Sequence, residues 1–334
     1  MRVAMRVDRT PPGRARSLPR RATGPPASRS ALAVAAVTCL VMLAAGCATA
    51  APYAAGSRAG RDEPLQVVAA ENFWGSIAAQ LGGDRAKVTS IIVNPATDPH
   101  DYEPTAADAR TIAGAHLMII NGIGYDPWAS KLVAANPVSG RLLLNVGELV
   151  GVQPGGNPHR WYSPADVRSV ISQIIADYSR LDPAGASYYK RREDSFETVG
   201  LAPYYALISK IRSKYAGTPI GASESIVLPL AHGLGLRILT PVSFLDAISE
   251  GTEPTARDKA LIDQQIRARQ IKIYVYNNQN ATPDVTSQAG EAEAAGIPVV
   301  TVTETLTPAN VTFQAWQVAQ LRRIERALAE GRRR

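Results

Sequence analysis

Apolar residues along this chain fall into short continuous runs separated by longer stretches with helical spacing. Leu65 to Ala69, Val88 to Val93, Leu117 to Ile120 and Leu142 to Asn145 read as strands of a first half, Val88 to Val93 as a buried one. Between them, Phe73, Trp74, Ile77, Ala78 and Leu81 recur on one helical face until Gly82-Gly83 stops the pattern, and helices are expected over 106–115 and 164–178. The same alternation restarts after residue 215, with strands over 218–222, 237–240, 271–276 and 298–302. Its helices are expected over 225–234, 255–267, 285–295 and 313–329, the last running into Gly331-Arg332-Arg333-Arg334, whose charge suits a helix carboxyl end. Alternating strands and helices predict an α/β chain of two lobes, each a mainly parallel sheet flanked by helices. Residues 183–215 keep a helical pattern throughout, interrupted only by Gly200 and Pro203. One long linking helix, bent where proline removes a backbone bond, is the expected connection, with two helices and a turn at Gly200 as the alternative.

Composition first misleads and then narrows the choice. The 334 residues carry a formal charge of +7, which would ordinarily point to a polyanion. Eight arginines and one aspartate precede Cys47, so that segment alone holds 8 − 1 = +7, and the remainder balances at 28 basic against 28 acidic residues. No electrostatic argument for nucleic acid survives. Residues 1–46 read instead as a lipoprotein-type signal peptide: an Arg-rich stretch, an apolar run from Ala31 to Ala45 too short for a comfortable membrane span, and Leu43-Ala44-Ala45-Gly46-Cys47, which resembles a lipobox. Cleavage before Cys47 would leave a lipid-attached cysteine, a flexible tether over 47–63, an N-terminal lobe over 64–182, the linking helix over 183–215 and a C-terminal lobe over 216–334. The protein is then extracytoplasmic, held to the outer face of the cell membrane. Cys39 and Cys47 are the only cysteines, so the mature chain has no disulfide and no thiolate site.

Two loops concentrate the candidate chemistry. Asp98-Pro99-His100-Asp101-Tyr102-Glu103-Pro104 follows a strand and precedes a helix, where open α/β sheets place ligands, and Asn157-Pro158-His159-Arg160-Trp161 repeats the device. The second half offers two carboxylates at strand ends: Glu224 in Ser223-Glu224-Ser225 and Glu304 in Val302-Thr303-Glu304-Thr305-Leu306. Two imidazoles and two carboxylates converging from opposite lobes would make a charge-neutral cage for a divalent cation. Asp101 and Glu103 read as cap and loop contacts, His116 and His232 as non-site residues, and Tyr125, Trp128 and Trp161 as packing. No Gly-rich phosphate fingerprint follows a strand, which argues against a nucleotide site.

The Pro99-to-Pro104 loop, the stretch Asn121-Gly122-Ile123-Gly124-Tyr125-Asp126-Pro127-Trp128 and the Asn157-to-Trp161 loop resemble the periplasmic metal-binding lipoproteins of manganese and zinc ABC importers, the cluster A-I solute-binding proteins. The resemblance runs from about Leu65 to the final helix. It implies His100, His159, Glu224 and Glu304 as ligands of a transported Mn2+ or Zn2+, delivery to an importer permease, a monomer and no enzymatic activity. Two positions depart from the family pattern: Asn157, where aspartate is usual, and Glu304, where the usual ligand is one methylene shorter. Two other readings compete. Two histidines and a carboxylate would also serve a metal-dependent hydrolase or oxygenase, although no His-Glu-x-x-His helix is present. A single linking helix is shared with haem and siderophore binders, which the paired Pro-His loops disfavour.

Overall fold

The structure, a computed structural model, describes residues 63–333. The signal segment, Cys47 and nearly all of the tether lie outside the described residues. Among the described residues there are eight strands: β1 (Leu65–Glu71), β2 (Ala86–Ile92), β3 (Leu117–Ile120), β4 (Leu142–Asn145), β5 (Pro219–Ala222), β6 (Arg237–Ile238), β7 (Tyr274–Asn277) and β8 (Val299–Val302). The helices of the first half are α1 (Asn72–Gly82), α2 (Ala106–Ala113), α3 (Pro127–Ala135), α4 (Val146–Leu149) and α5 (Pro164–Leu181). Then come α6 (Ala186–Ser195), α7 (Ala202–Tyr215), α8 (Val227–Leu234), α9 (Val242–Ser249), α10 (Ala256–Arg267), α11 (Pro283–Ala294) and α12 (Phe313–Gly331).

Two four-stranded sheets form, ordered β2-β1-β3-β4 and β6-β5-β7-β8, and every ladder is parallel. The shared order puts a reversal of strand order beside the first strand of each sheet, between β1 and β3 and again between β5 and β7. Loops leaving the carboxyl ends there diverge and open a crevice. Local sequence sets the elements that flank it. Gly83, at φ 52°, ends α1, and Gly75 lets that helix lie directly on the sheet, since a Cβ there would come within 2.0 Å of Ser90 Oγ. Thr105 and Asp108 form a reciprocal capping box for α2, so the cap falls to these two while Asp101 and Glu103 are exposed.

The 183–215 stretch is helical almost throughout but not one α-helix. A short 3-10 turn at Pro183–Gly185 leads into α6, a π-helical turn follows over Phe196–Gly200, and α7 begins after Leu201 with Pro203 in its first turn. The Leu201 N–H reaches back to the Phe196 carbonyl (2.7 Å). The proline is accommodated because the first turn of a helix has no intrahelical donor to lose. Helix α6 packs on α1 and α5, whereas α7 packs on α8 and α12. The largest apolar core is continuous through both halves, from Phe73, Trp74 and Trp161 to Leu230, Phe313 and Trp316.

Candidate metal centre

Both histidine loops are built by one device. The Asp98 carboxylate accepts from the His100 backbone N–H (2.8 Å) and the Asn157 side-chain carbonyl accepts from the His159 N–H (2.9 Å). Each is an Asx turn, an acidic or amide side chain capping its own backbone two residues on, with proline fixing the residue between. The His159 ring is 1% exposed, its edge set against Trp161 (5.3 Å between centroids), which stacks on Phe73 at 4.0 Å. His100 is half-buried and meets Tyr125 edge-on at 4.9 Å. Asn121 secures the second loop: its side-chain NH2 donates to the Pro158 carbonyl (2.9 Å) while its oxygen accepts from Trp74 Nε1 (3.1 Å).

The carboxylates arrive from the second sheet. Glu224 is 1% exposed just beyond β5. Asn277 Nδ2 donates to its Oε1 and Asn280 Nδ2 to its Oε2, both at 2.8 Å, so the carboxylate plane is fixed while each oxygen keeps a second lone pair. Glu304 follows β8. Its backbone N–H and that of Thr305 donate to Gln279 Oε1, and Gln279 Nε2 donates to the Pro95 carbonyl of the first half.

His100, His159, Glu224 and Glu304 line one cavity of about 90 Å³. His159 Nε2 and Glu304 Oε1 stand 3.4 Å apart. Among the described residues, no three His, Asp or Glu side chains are gathered tightly enough to hold one ion together; the four share a cavity without closing to ligation distances of about 2.0–2.2 Å. Their charges are strongly linked. Burial and the neighbouring Glu304 push the Glu224 carboxyl up to about 8. Burial also acts to raise Glu304, but the bond and charge of His159, together with His100, pull it below the usual carboxylate range. Burial lowers the His159 imidazole, partly offset by Glu304. The cavity therefore favours positive charge at one point between the two halves.

Asn277, Gln279 and Asn280 carry no signal in the sequence that marks them for this site, and neither does the buried acidic pair Glu71 and Asp126. Glu71 is wholly buried at the end of β1, pushed well above the usual range by burial and by Asp126. Asp126 accepts from the backbone N–H of Asn121 (2.7 Å) and Gly122 (2.8 Å). Of the residues set aside, His116 accepts from the Gln66 N–H at the foot of the first sheet (2.8 Å) and His232 is exposed on α8.

Residues 67–327 match the family model described as zinc-uptake complex component A, periplasmic. The chain belongs to that family. Relatives of this zinc-uptake component A member include the manganese-binding lipoprotein MntA of Halalkalibacterium halodurans, 28% identical over 162 residues, 47% of this chain and 52% of MntA. Another is the zinc-binding lipoprotein AdcA of Streptococcus pneumoniae, 24% identical over 253 residues, 68% of this chain and 48% of AdcA. The chain thus spans about half the length of these relatives. In fold it resembles the Mn-bound periplasmic metal-binding protein of Candidatus Liberibacter asiaticus, with a TM-score of 0.68 at 22% identity over 80% of this chain and all of the other. The crystal structure of ZnuA gives a TM-score of 0.64 at 19% identity over 81% of this chain and 99% of the other.

Proposed function

We propose that this zinc-uptake component A family member is an extracytoplasmic solute-binding protein that captures a divalent transition metal ion, Mn2+ or Zn2+, with His100, His159, Glu224 and Glu304, and delivers it to the permease of an ABC importer. The observation that carries this reading is the common cavity of about 90 Å³ lined by these four side chains from both halves. That volume suits an ion with a few waters, each taking roughly 30 Å³ of liquid. A haem or siderophore needs several times more, since pockets for such molecules run to about 300–1,000 Å³. Capture and release require no bond chemistry, so the protein acts as a carrier rather than an enzyme. The lobes proposed to supply the ligands are 64–182 and 216–334, joined through 183–215.

Elemental analysis of the protein purified without chelator, followed by calorimetric titration with Mn2+ and Zn2+, tests the reading. One ion per chain is expected in the wild type; a chain that binds neither ion would sink it. Zn2+ is expected to bind the tighter of the two at any such donor set, and a site in which the carboxylates bind through both oxygens approaches six-coordination and narrows the gap in favour of Mn2+. We also propose that residues 1–46 are a lipoprotein signal and that Cys47 carries the lipid. Among the described residues no helix is long and apolar enough to cross a membrane. Cys47→Ala is expected to move the protein from the membrane fraction to the soluble one, and full membrane retention would overturn the lipid assignment.

A further inference from the structure

We propose that Asn157 is a positioning residue that sets which nitrogen of the His159 imidazole faces the cavity and ties that choice to the Glu224 loop of the opposite half. The two ends of one amide fix its orientation. Oxygen and NH2 of an asparagine have nearly the same shape, and only their partners tell them apart. At one end Asn157 meets the His159 backbone N–H (2.9 Å), which can only donate, so oxygen stands there. At the other it meets the Ser225 carbonyl (2.7 Å), which can only accept, so NH2 stands there. The two partners lie on different halves of the protein and fix the same orientation independently.

The oxygen so placed is also 3.1 Å from His159 Nδ1. An amide oxygen cannot donate, so this bond needs the hydrogen on Nδ1; the competing acceptor, Glu304 Oε1, stands 3.4 Å from Nε2, beyond the roughly 2.7–3.2 Å of a good N–H···O bond, and the neutral ring therefore keeps its lone pair on Nε2. The Ser225 hydroxyl, 3.5 Å from Nδ1, is engaged with Ser249 Oγ at 2.8 Å and is the weaker neighbour. Nε2 is the nitrogen that faces Glu304 Oε1 across 3.4 Å. Two lone pairs directed at one point accept a cation between them and repel without one. Ser225 directly follows Glu224, so the amide that orients the imidazole also holds the segment presenting a carboxylate from the other side. Asp98 shows what an acid does in the same turn: it makes the bond to the His100 N–H but has no donor to offer a carbonyl.

The consequence for affinity rests on the metal-capture reading; the tautomer assignment does not. The chain has four histidines, so 15N-histidine labelling of the full chain in detergent resolves each ring. In metal-free wild type near pH 8, His159 is expected to carry its proton on Nδ1. Asn157→Asp keeps an acceptor and is expected to retain that tautomer; Asn157→Ala removes the acceptor and is expected to shift the ring toward Nε2–H. Hydrogen exchange over 223–227 is expected to speed up in both variants, because neither can donate to the Ser225 carbonyl. Zn2+ affinity in Asn157→Ala is expected to fall roughly 10–100-fold, the usual effect of losing a ligand's orienting partner. An Nε2–H tautomer in the wild type, or an unchanged tautomer in Asn157→Ala, would overturn the positioning role, and wild-type exchange over 223–227 in Asn157→Asp would overturn the tie between the halves. A wild type that binds neither Mn2+ nor Zn2+ would sink the capture reading alone, and the tautomer comparison would still decide the role of Asn157.

Discussion

The two Asx-Pro-His turns share a backbone device and differ in everything beyond it. The His159 turn is built into the core, with its ring edge on Trp161, its Nδ1 against Asn157 and its preceding proline carbonyl held by Asn121. The His100 ring is half-buried and borders three cavities: the one shared with the carboxylates, one beside Trp128 and Lys131, and one beside Asp246 and Glu250. The same local chemistry thus yields one ring fixed by the core and one at the rim of the cavity. Tertiary partners rather than the turn itself decide which role a histidine has.

The largest expected effects separate those roles. His100→Ala and His159→Ala should both abolish stoichiometric metal in the purified protein, by elemental analysis. Only His159→Ala should also destabilise the metal-free fold, by about 1–3 kcal/mol, because it strips buried contacts and leaves the Asn157 oxygen short of a partner. His100→Ala should cost less, within about 0.5 kcal/mol of wild type, because its half-buried ring at the cavity rim gives up fewer contacts. Denaturant unfolding in chelator gives both values. Equal destabilisation by the two variants would erase the distinction between core and rim.

Much of this was legible in the chain, and what was not has specific causes. Strands β3 and β4 begin and end where the apolar runs do, and the repeated Pro-His pointed to both rings. The run from Ile271 to Tyr276 predicts a longer strand than β7 because its β-branched and aromatic residues favour extended backbone without fixing a register; pairing in register begins at Tyr274. Residues 237–240 were expected as a strand, but β6 covers only Arg237–Ile238; by Thr240 the side-chain oxygen, not the backbone, accepts from the Ala222 N–H (2.9 Å). Helix α9 lay unseen between Pro241 and Glu250. Asn277 and Asn280 were missed because a run of neutral amides reads as a turn; their role exists only through Glu224, more than 50 residues earlier.

A second comparison, between the two carboxylates, carries the next effect. Glu224 is raised to about 8 by burial and by Glu304, whereas Glu304 is held low. On the proposed ligand set, an ion bound near neutral pH would displace a proton from Glu224 but not from Glu304. His159, lowered by burial, adds little proton release above pH 6.5. Apparent affinity for Zn2+ should rise with pH by up to about tenfold per unit between pH 6 and 8 and level off above about 8. Glu224→Gln should weaken binding at pH 8 by at least about tenfold and flatten the slope. Calorimetry in buffers of different ionisation enthalpy counts the proton directly, and an undiminished slope in Glu224→Gln would assign the proton to another group.

The smallest effect concerns the acidic pair behind the rings, where a third comparison operates. Burial raises Asp126 too, but two backbone N–H donors favour its charged form and limit the rise, while burial and the neighbouring Asp126 push Glu71 well above its ordinary 4.5. Glu304 adds to the negative field from the cavity side. Because the folded-state value is raised, this group's contribution is fully present below about pH 4.5 and declines as pH rises toward the folded-state value, the unfolded chain having already released the proton. A neutral isostere needs no proton. Glu71→Gln should match wild type near pH 4.5 and exceed it at pH 8 by on the order of 1 kcal/mol, a rise of roughly 2–4 °C in Tm for a chain of this size. Thermal unfolding of the two proteins in chelator from pH 4.5 to 8 measures the difference. Parallel curves would mean that Glu71 ionises in the folded protein as readily as in the unfolded chain, and that the first half tolerates a second buried negative charge next to Asp126.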